Sequence, residues 1–231
     1  MVKTSDAQTR QQSLYLWYRQ SLLRGEFAMG HRLKLNELSE SHGVSVGVVR
    51  EALTRLATQG LLRAESNKGF SVPILTLEEV NDLAFVRGEV ESLTVRLSVE
   101  RGGPEWEASV VAAHHRLSLT PNVSITESPE ANDRWTEVHR SFHEACAAGC
   151  GSPRLMEIRA TLYDQAEIIR QIARLRSDGT RDVAGEHRSI LEVILAREPE
   201  TAAEQIRRHV DTTRRQCVEA WVAGSGSASG G

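Results

Sequence analysis

Four of the eight histidines carry the strongest chemical signal in this chain. His139 and His143 stand four residues apart, the spacing that brings two imidazoles over one point on a helix face. His187 shares a helical face with Ile190, Leu191 and Ile194, and His209 keeps register with Ala202, Ile206 and Thr213, so both are expected to point inward. A lone inward histidine is usually a hydrogen-bonded core residue. Three helices that each direct histidine into one core point instead to a shared ion, because a buried imidazole without a partner is costly. The same donors with a water would describe catalytic zinc. Catalysis would also need a general base at the ion. Glu144 and Glu186 are adjacent to the ligands in sequence, which turns each about 100° away from the ligand face of its helix. The sequence has no HExxH, nucleophile elbow or phosphate loop, so an enzyme is not expected.

Helices must position those imidazoles. The spacing predicts them over 77–101, 105–118, 132–148, 153–176, 182–197 and 199–222. Val80, Leu83, Ala84, Val90, Leu93 and Leu97 form the apolar side of the first, and Thr76 is placed to cap it. Gly102-Gly103-Pro104, a loop over 119–131, Gly149 to Pro153 and Arg197 to Pro199 are the breaks. Cys146 and Cys150 lie one turn apart in a chain with three cysteines. An odd count without a CxxC pair predicts buried free thiols. The last residues, GSGSASGG, have linker composition and are expected to be disordered.

The front of the chain has a different chemistry. Residues 35–63 read as a short helix edged by Leu35 and Leu38, a turn at Gly43, and a second helix capped by Ser45. Val49, Ala52, Leu53 and Leu56 face inward at helical spacing. Val46, Gly47, Arg50 and Thr54 are left on the opposite face, where base edges would be met. Upstream, Leu14, Tyr18 and Leu22, with Trp17 beside them, form one stripe of a further helix, which turns at Gly25 to Gly30. Downstream, an extended run begins at Leu61-Leu62-Arg63, turns at Ser66-Asn67-Lys68-Gly69 and resumes at Phe70-Ser71-Val72, closed by Pro73. That is a two-stranded wing with a cation at its tip.

Net charge is only −3, which looks unsuited to DNA until it is divided. Residues 1–75 hold ten Lys and Arg against six Asp and Glu, and the rest hold eighteen against twenty-five. A basic front on an acidic body fits phosphate contact by the front alone. No apolar run approaches the length of a membrane span, and the first residues lack a signal-peptide apolar region. A cytoplasmic protein that does not engage membranes is the expectation.

Helix, helix, helix and wing within about 65 residues make a winged helix-turn-helix, and the stretch resembles the GntR family of bacterial transcription regulators. The resemblance is carried by Leu33-Lys34-Leu35, Val44-Ser45, Val49-Arg50-Glu51-Ala52-Leu53 and Asn67-Lys68-Gly69-Phe70. The body resembles the FCD domain of the FadR subfamily through His139-Arg140-Ser141-Phe142-His143-Glu144-Ala145, Gly151-Ser152-Pro153-Arg154-Leu155, Glu186-His187-Arg188-Ser189-Ile190-Leu191, and Ala203 before His209. The resemblance covers residues from about 12 to 222. It implies a mostly α fold: a winged helix-turn-helix over 1–75, an all-helical FCD-like bundle for effector binding and dimerisation over 76–222, and a disordered tail over 223–231.

It further implies a metabolite-responsive regulator, a repressor by the commoner habit of the family, that binds a pseudo-palindromic duplex operator as a homodimer. Arg50 would pair with guanine O6 and N7. Ser45 and the amides of its helix would hold phosphate, with Lys34, Val46, Gly47 and Thr54 beside them and Lys68 and Gly69 reaching from the wing. The family commonly has arginine where this chain has Val46, which implies an altered base preference. In the body, the FCD pattern is an aspartate followed by three histidines, and here His139 stands in place of the aspartate. Replacing an anionic oxygen by a neutral nitrogen favours Zn²⁺ or Ni²⁺ over a hard ion, and it leaves a site one negative charge poorer and more welcoming to an anion. The implied effector is a small organic acid on that metal. Arg87 matches a family arginine and would pair with the carboxylate of the acid, or else with Glu91 one turn on, and Arg159, Tyr163 and Arg170 would add polar contacts. The run Leu162-Tyr163-Asp164-Gln165 is similar to the branch that regulates glutarate and hydroxyglutarate catabolism, so a C5 dicarboxylate or 2-hydroxy acid is the expected class. Two other readings stay open: a direct sensor of the metal ion, and a metalloenzyme.

Overall fold

The structure, a computed structural model, describes residues 3–65, 68–123, 127–174 and 181–226. Among them the order is α1 (Lys3–Leu23), β1 (Arg32–Leu33), α2 (Leu35–His42), α3 (Val46–Thr58), β2 (Arg63–Glu65), β3 (Gly69–Ser71), α4 (Leu77–Arg101), α5 (Pro104–Ser118), α6 (Pro129–Ala148), α7 (Pro153–Arg174), α8 (Val183–Leu195) and α9 (Pro199–Gly226). The chain divides into two compact units. One comprises the residues up to Thr76 together with Asp164–Gln171; the other comprises Leu77–Tyr163 and the residues from Ile172 onward.

In the first unit, α2 ends where Gly43 takes φ 61°, a left-handed conformation that costs glycine little. Ser45 then caps α3, its Oγ accepting from the Val48 amide at 3.4 Å. The inward side of α3, Val49, Ala52, Leu53 and Leu56, is fully buried against Leu14, Tyr18 and Leu22 of α1. Each large apolar side chain buried this way contributes about 1.5–3 kcal/mol. Two expectations for α1 change. Tyr15 joins the core, its hydroxyl donating to Gln59, while Trp17 is 46% exposed and lies edge-on to His42.

The wing is three-stranded, in the order β1-β3-β2, all antiparallel. Its additional strand, Arg32–Leu33, pairs opposite Ser71 and Phe70. Two residues are too few for alternation to declare itself in sequence. Pairing of β2 begins at Arg63 rather than Leu61, because Leu61 and Leu62 turn down into the core. Ser66 and Asn67 of the expected turn lie outside the described residues.

The expected division at 75/76 does not account for Asp164–Gln171, which belongs with the first unit. Ile168 sits in that core, Gln165 Nε2 donates to the Gln59 carbonyl at 2.8 Å, and Arg19 grips both oxygens of Asp164 at 2.6–2.9 Å.

The second unit is entirely helical among its described residues. α4 lies along α9, and Val95, Val99, Val110, Phe142, Ile190, Ile194 and Ile206 form the core. α6 begins at Pro129, within the expected loop, because Ser128 caps it by accepting from the Ala131 amide and Pro129 supplies a pre-set φ at the first helical position. Asp182 caps α8 through the Gly185 amide at 2.8 Å. α9 continues through Gly226, four residues into the expected tail, since extending an established helix costs far less than starting one. Residues 227–231 lie outside the described ones. No helix among the described residues is long and apolar enough to cross a membrane.

Candidate metal centre

The histidines on α6, α8 and α9 converge. His139, His143, His187 and His209 are all buried, and each offers a ring nitrogen within 4.8 Å of the others. Ring centroids are 4.6 Å apart for His139 and His143, 4.9 Å for His143 and His209, and 4.9 Å for His187 and His209. Aromatic side chains wall the cluster: Trp135 stacks on His139 at 4.5 Å, and Phe142 lies edge-on to His143 and His187.

Hydrogen bonding within the cluster is incomplete. Both ring nitrogens of His143 and Nε2 of His187 are buried with no hydrogen-bond partner among the described residues. Native interiors rarely leave such atoms unmatched. Each of the other two rings has its Nδ1 engaged. His139 Nδ1 meets the Tyr163 hydroxyl at 2.9 Å, and His209 Nδ1 meets Glu186 Oε2 at 2.7 Å. Burial pushes the pKa of His143 and His187 well below the ordinary histidine value, and neighbouring His209 pushes both the same way. Burial also lowers His209, against the opposing pull of Glu186. Neutral imidazoles with free lone pairs are what a divalent cation requires, so the residues fit a metal.

Beside the rings lies a second buried polar group. Glu91, 0% exposed, accepts from Arg87 Nε at 3.3 Å and from Arg159 Nε at 3.0 Å. Arg159 Nη2 is buried without a partner among the described residues. Around the Tyr163 ring, the guanidinium carbons of Arg140, Arg87 and Arg159 lie 4.6, 4.8 and 5.6 Å from its centre. Two buried guanidiniums thus share one carboxylate, an excess of positive charge in a region of low dielectric.

The expected residues therefore separate. Arg87, Arg159 and Tyr163 gather near the histidines. Arg170 pairs with Glu167, one turn back, in the part of α7 that belongs with the first unit. The Arg87–Glu91 pair is the alternative that the sequence offers for Arg87; Trp135, Arg140, Arg181 and Glu186 were not foreseen in these positions. The signal for Trp135 was its place four residues before His139. Glu186 does turn away from the face of His187, but the turn carries it across to His209 on α9. Burial opposes ionisation of Glu186, yet hydrogen bonds from Arg181 and His209 prevail and hold its carboxyl at about 2. Cys146, Cys150 and Cys217 are buried free thiols. Of the other four histidines, His31 and His115 are exposed, whereas His42 is half-buried against Trp17 and Tyr18 and His114 against Phe142.

In the first unit, Gly47, Arg50 and Thr54 are exposed on one side of α3, and Val46 is half-buried at its start. Lys34 is exposed and pairs with Glu37 at 2.7 Å. Lys68 is exposed on the wing, 3.1 Å from Glu65, and Gly69 has φ 82°.

Known families account for both units. Residues 11–72 match the bacterial regulatory proteins of the gntR family, and residues 82–212 match the FCD domain. The HTH-type transcriptional regulator BphR of Paraburkholderia xenovorans (strain LB400) is 33% identical over 84% of this chain and 80% of its own. The HTH-type transcriptional repressor GlaR of Escherichia coli (strain K12) is 33% identical over 86% of this chain and 91% of its own. The solved structure of E. coli McbR/YncC aligns with a TM-score of 0.73 at 20% identity, over 92% of this chain and 98% of that one, and supports the fold alone. With a helix-turn-helix and an FCD domain each matched in its expected place, the chain belongs to the GntR family of transcription regulators: it is a DNA-binding regulator with an FCD effector domain, and not an enzyme.

Proposed function

We propose that this regulator, a repressor acting as a homodimer on a pseudo-palindromic operator, is controlled by a small organic acid bound on a divalent metal, with Zn²⁺ the first choice and Ni²⁺ the second. His139, His143, His187 and His209 would hold the ion. The observation that carries this reading is the set of four buried histidines whose ligand atoms lie within 4.8 Å of one another, three of their ring nitrogens, like Arg159 Nη2, having no partner among the described residues. A dication among these rings adds charge to a region where Arg87 and Arg159 already outnumber Glu91. Buried charge of one sign calls for an anion. A carboxylate would be drawn to the ion and to Arg159 Nη2, with Arg87 and the Tyr163 hydroxyl close by. By the similarity of Leu162-Tyr163-Asp164-Gln165, the acid would be a C5 dicarboxylate or a 2-hydroxy acid such as glutarate or 2-hydroxyglutarate. Arg170, paired with Glu167, is the weakest member of that set.

On the DNA side, Arg50 would read a guanine, Ser45 and the adjacent amides would hold phosphate, and Lys34, Val46, Thr54, Lys68 and Gly69 would flank them. A side chain at Gly47 would meet only Ser45 Oγ, at 3.8 Å. Nothing inside the protein requires glycine there, so its smallness would serve what approaches from outside.

A second reading has its own support. Four histidines around one ion would complete a tetrahedral shell with no open position, as suits a protein that senses the metal itself. Operator binding, measured with DNA selected from a random pool, separates the two. If the acid is the signal, Zn²⁺ alone leaves affinity unchanged and Zn²⁺ with glutarate or 2-hydroxyglutarate shifts it. If the metal is the signal, Zn²⁺ alone shifts it. A metal-loaded protein whose melting temperature no organic acid raises would remove the first reading.

A further inference from the structure

Glu186 turns away from the face of His187, yet it is firmly held beside the cluster. Its Oε2 lies 2.7 Å from His209 Nδ1. Arg181 clamps it from behind, Nε donating to Oε1 at 2.7 Å and Nη2 donating to Oε2. Arg181 is itself fixed by Nη1 bonds to Thr213 and Gln216, each 3.0 Å, and by an Nη2 bond to the His209 carbonyl at 3.2 Å. All of its recorded partners lie on α8 and α9.

The donor and acceptor roles decide the state of His209. A carboxylate held by a guanidinium accepts and does not donate. At 2.7 Å from Oε2, Nδ1 therefore carries the hydrogen, because two lone pairs would otherwise face each other; Arg181 Nη2 also stands 3.3 Å from Nδ1, but its two hydrogens are directed at Glu186 Oε2 and the His209 carbonyl. The proton of a neutral ring is then used on Nδ1, and the lone pair is on Nε2. His139 differs: its Nδ1 meets a tyrosine hydroxyl, which can donate or accept and so imposes no tautomer.

We infer that Glu186, anchored by Arg181, is a positioning residue of the metal centre that fixes His209 as the Nδ1–H tautomer and presents Nε2 to the ion. The inference rests on the metal reading above. It assigns a role outside the four ligands: the carboxylate orients the ring before metal arrives and strengthens Nε2 as a donor afterwards. Glu186 does not ligate. Its effect passes through His209, and Arg181 keeps the carboxylate from turning toward solvent, to which it is 28% exposed.

Two measurements on the full chain test it. The first needs no variant. Long-range ¹H–¹⁵N correlation spectra of the metal-free protein at neutral pH report the tautomer of each ring, and His209 is expected as Nδ1–H. Finding it as Nε2–H overturns the inference. The second compares Zn²⁺ affinity, by competition with a chromophoric chelator, among wild type, Glu186→Gln and Glu186→Asp. Gln can turn its NH₂ toward the ring, so Glu186→Gln is expected to bind Zn²⁺ ten- to a hundredfold more weakly at unchanged one-to-one stoichiometry. Glu186→Asp, which keeps the charge, is expected to recover part of that loss. In Co²⁺-loaded protein the visible ligand-field bands should shift in Glu186→Gln, a change that general loosening of the fold would not produce. Wild-type affinity and an unshifted Co²⁺ spectrum in Glu186→Gln defeat the inference and leave the metal reading intact. Failure of wild type itself to bind Zn²⁺ defeats the metal reading, and the inference with it.

Discussion

The two units put their polar chemistry in opposite places. In the first, the residues suited to meet DNA stand at the surface: Gly47, Arg50, Thr54 and Lys68 are exposed, and the fold beneath them is an apolar core of Leu, Val and Tyr side chains. In the second, the chemistry is inside: four imidazoles, Glu91, Arg87 and Arg159 are buried in the helical bundle. The difference sets what each site depends on. A surface site needs only a rigid helix beneath it, so its residues can change with little effect on folding. A buried polar site must satisfy every member with another member or with a ligand, so recognition and stability cannot be separated there.

The largest effect is therefore expected in the body. His187→Ala removes one of four nitrogen donors and should weaken Zn²⁺ binding by about a hundred- to a thousandfold, given about 10–16 kcal/mol for a complete structural zinc site shared among its ligands. Metal content after dialysis against dilute chelator should fall from one equivalent to nearly none. Retention of a full equivalent by this variant would mean that the ion, if bound, lies elsewhere.

Arg50→Ala probes the other side of the comparison. It should cost about 1–3 kcal/mol in binding to selected operator DNA if the guanidinium reads a base, while the melting temperature stays near that of wild type. Equal weakening on selected and random DNA would make Arg50 a phosphate contact. A marked drop in melting temperature would show that the surface site is not as independent of the fold as its exposure implies.

Acid should separate the units next. Burial holds His143, His187 and His209 neutral below the ordinary histidine range. Below about pH 6.5 the unfolded chain then binds more protons than the folded one, so stability is full above that value and falls as pH drops through it. In metal-free protein, the urea midpoint of the body should decline between pH 7 and 5, and His187→Ala should make the decline shallower. A midpoint unchanged over that range would show that these rings are not buried as neutral bases.

How much was legible in the sequence follows the same division. α3 was readable almost to the residue, because its signals are local: Gly43 for the turn, Ser45 for the cap, and Val49, Ala52, Leu53 and Leu56 at helical spacing. The inward histidines were readable as well, since each shares a face with apolar neighbours. What escaped depends on contacts across the sequence. Glu186 was judged by its own helix and found turned away from the ligands, but its partner is His209, on the next helix. β1 escaped because it consists of two residues paired with Phe70 and Ser71 far downstream. Asp164–Gln171 escaped because a helix periodic throughout gives no sign that its middle turns belong with another unit. Periodicity says which way a side chain points on its own element, and only the fold says what it meets there.

The smallest expected effect tests whether the front unit is as locally determined as that reading implies. Ser45 closes the start of α3 through one bond, from the Val48 amide to its Oγ at 3.4 Å, long for a hydrogen bond and exposed to solvent. Ser45→Ala should cost about 1 kcal/mol of stability, toward the lower part of the range for caps because water can replace the acceptor. Ser45→Asp should restore the cap and add a favourable charge at the positive end of the helix. The same carboxylate would repel phosphate, so DNA affinity should fall in Ser45→Asp even as stability recovers. Denaturant melts together with binding to random-sequence duplex would show this opposition. If stability and binding recover together, Ser45 caps the helix without facing phosphate, and the interface would then have to be centred on Arg50 and the wing.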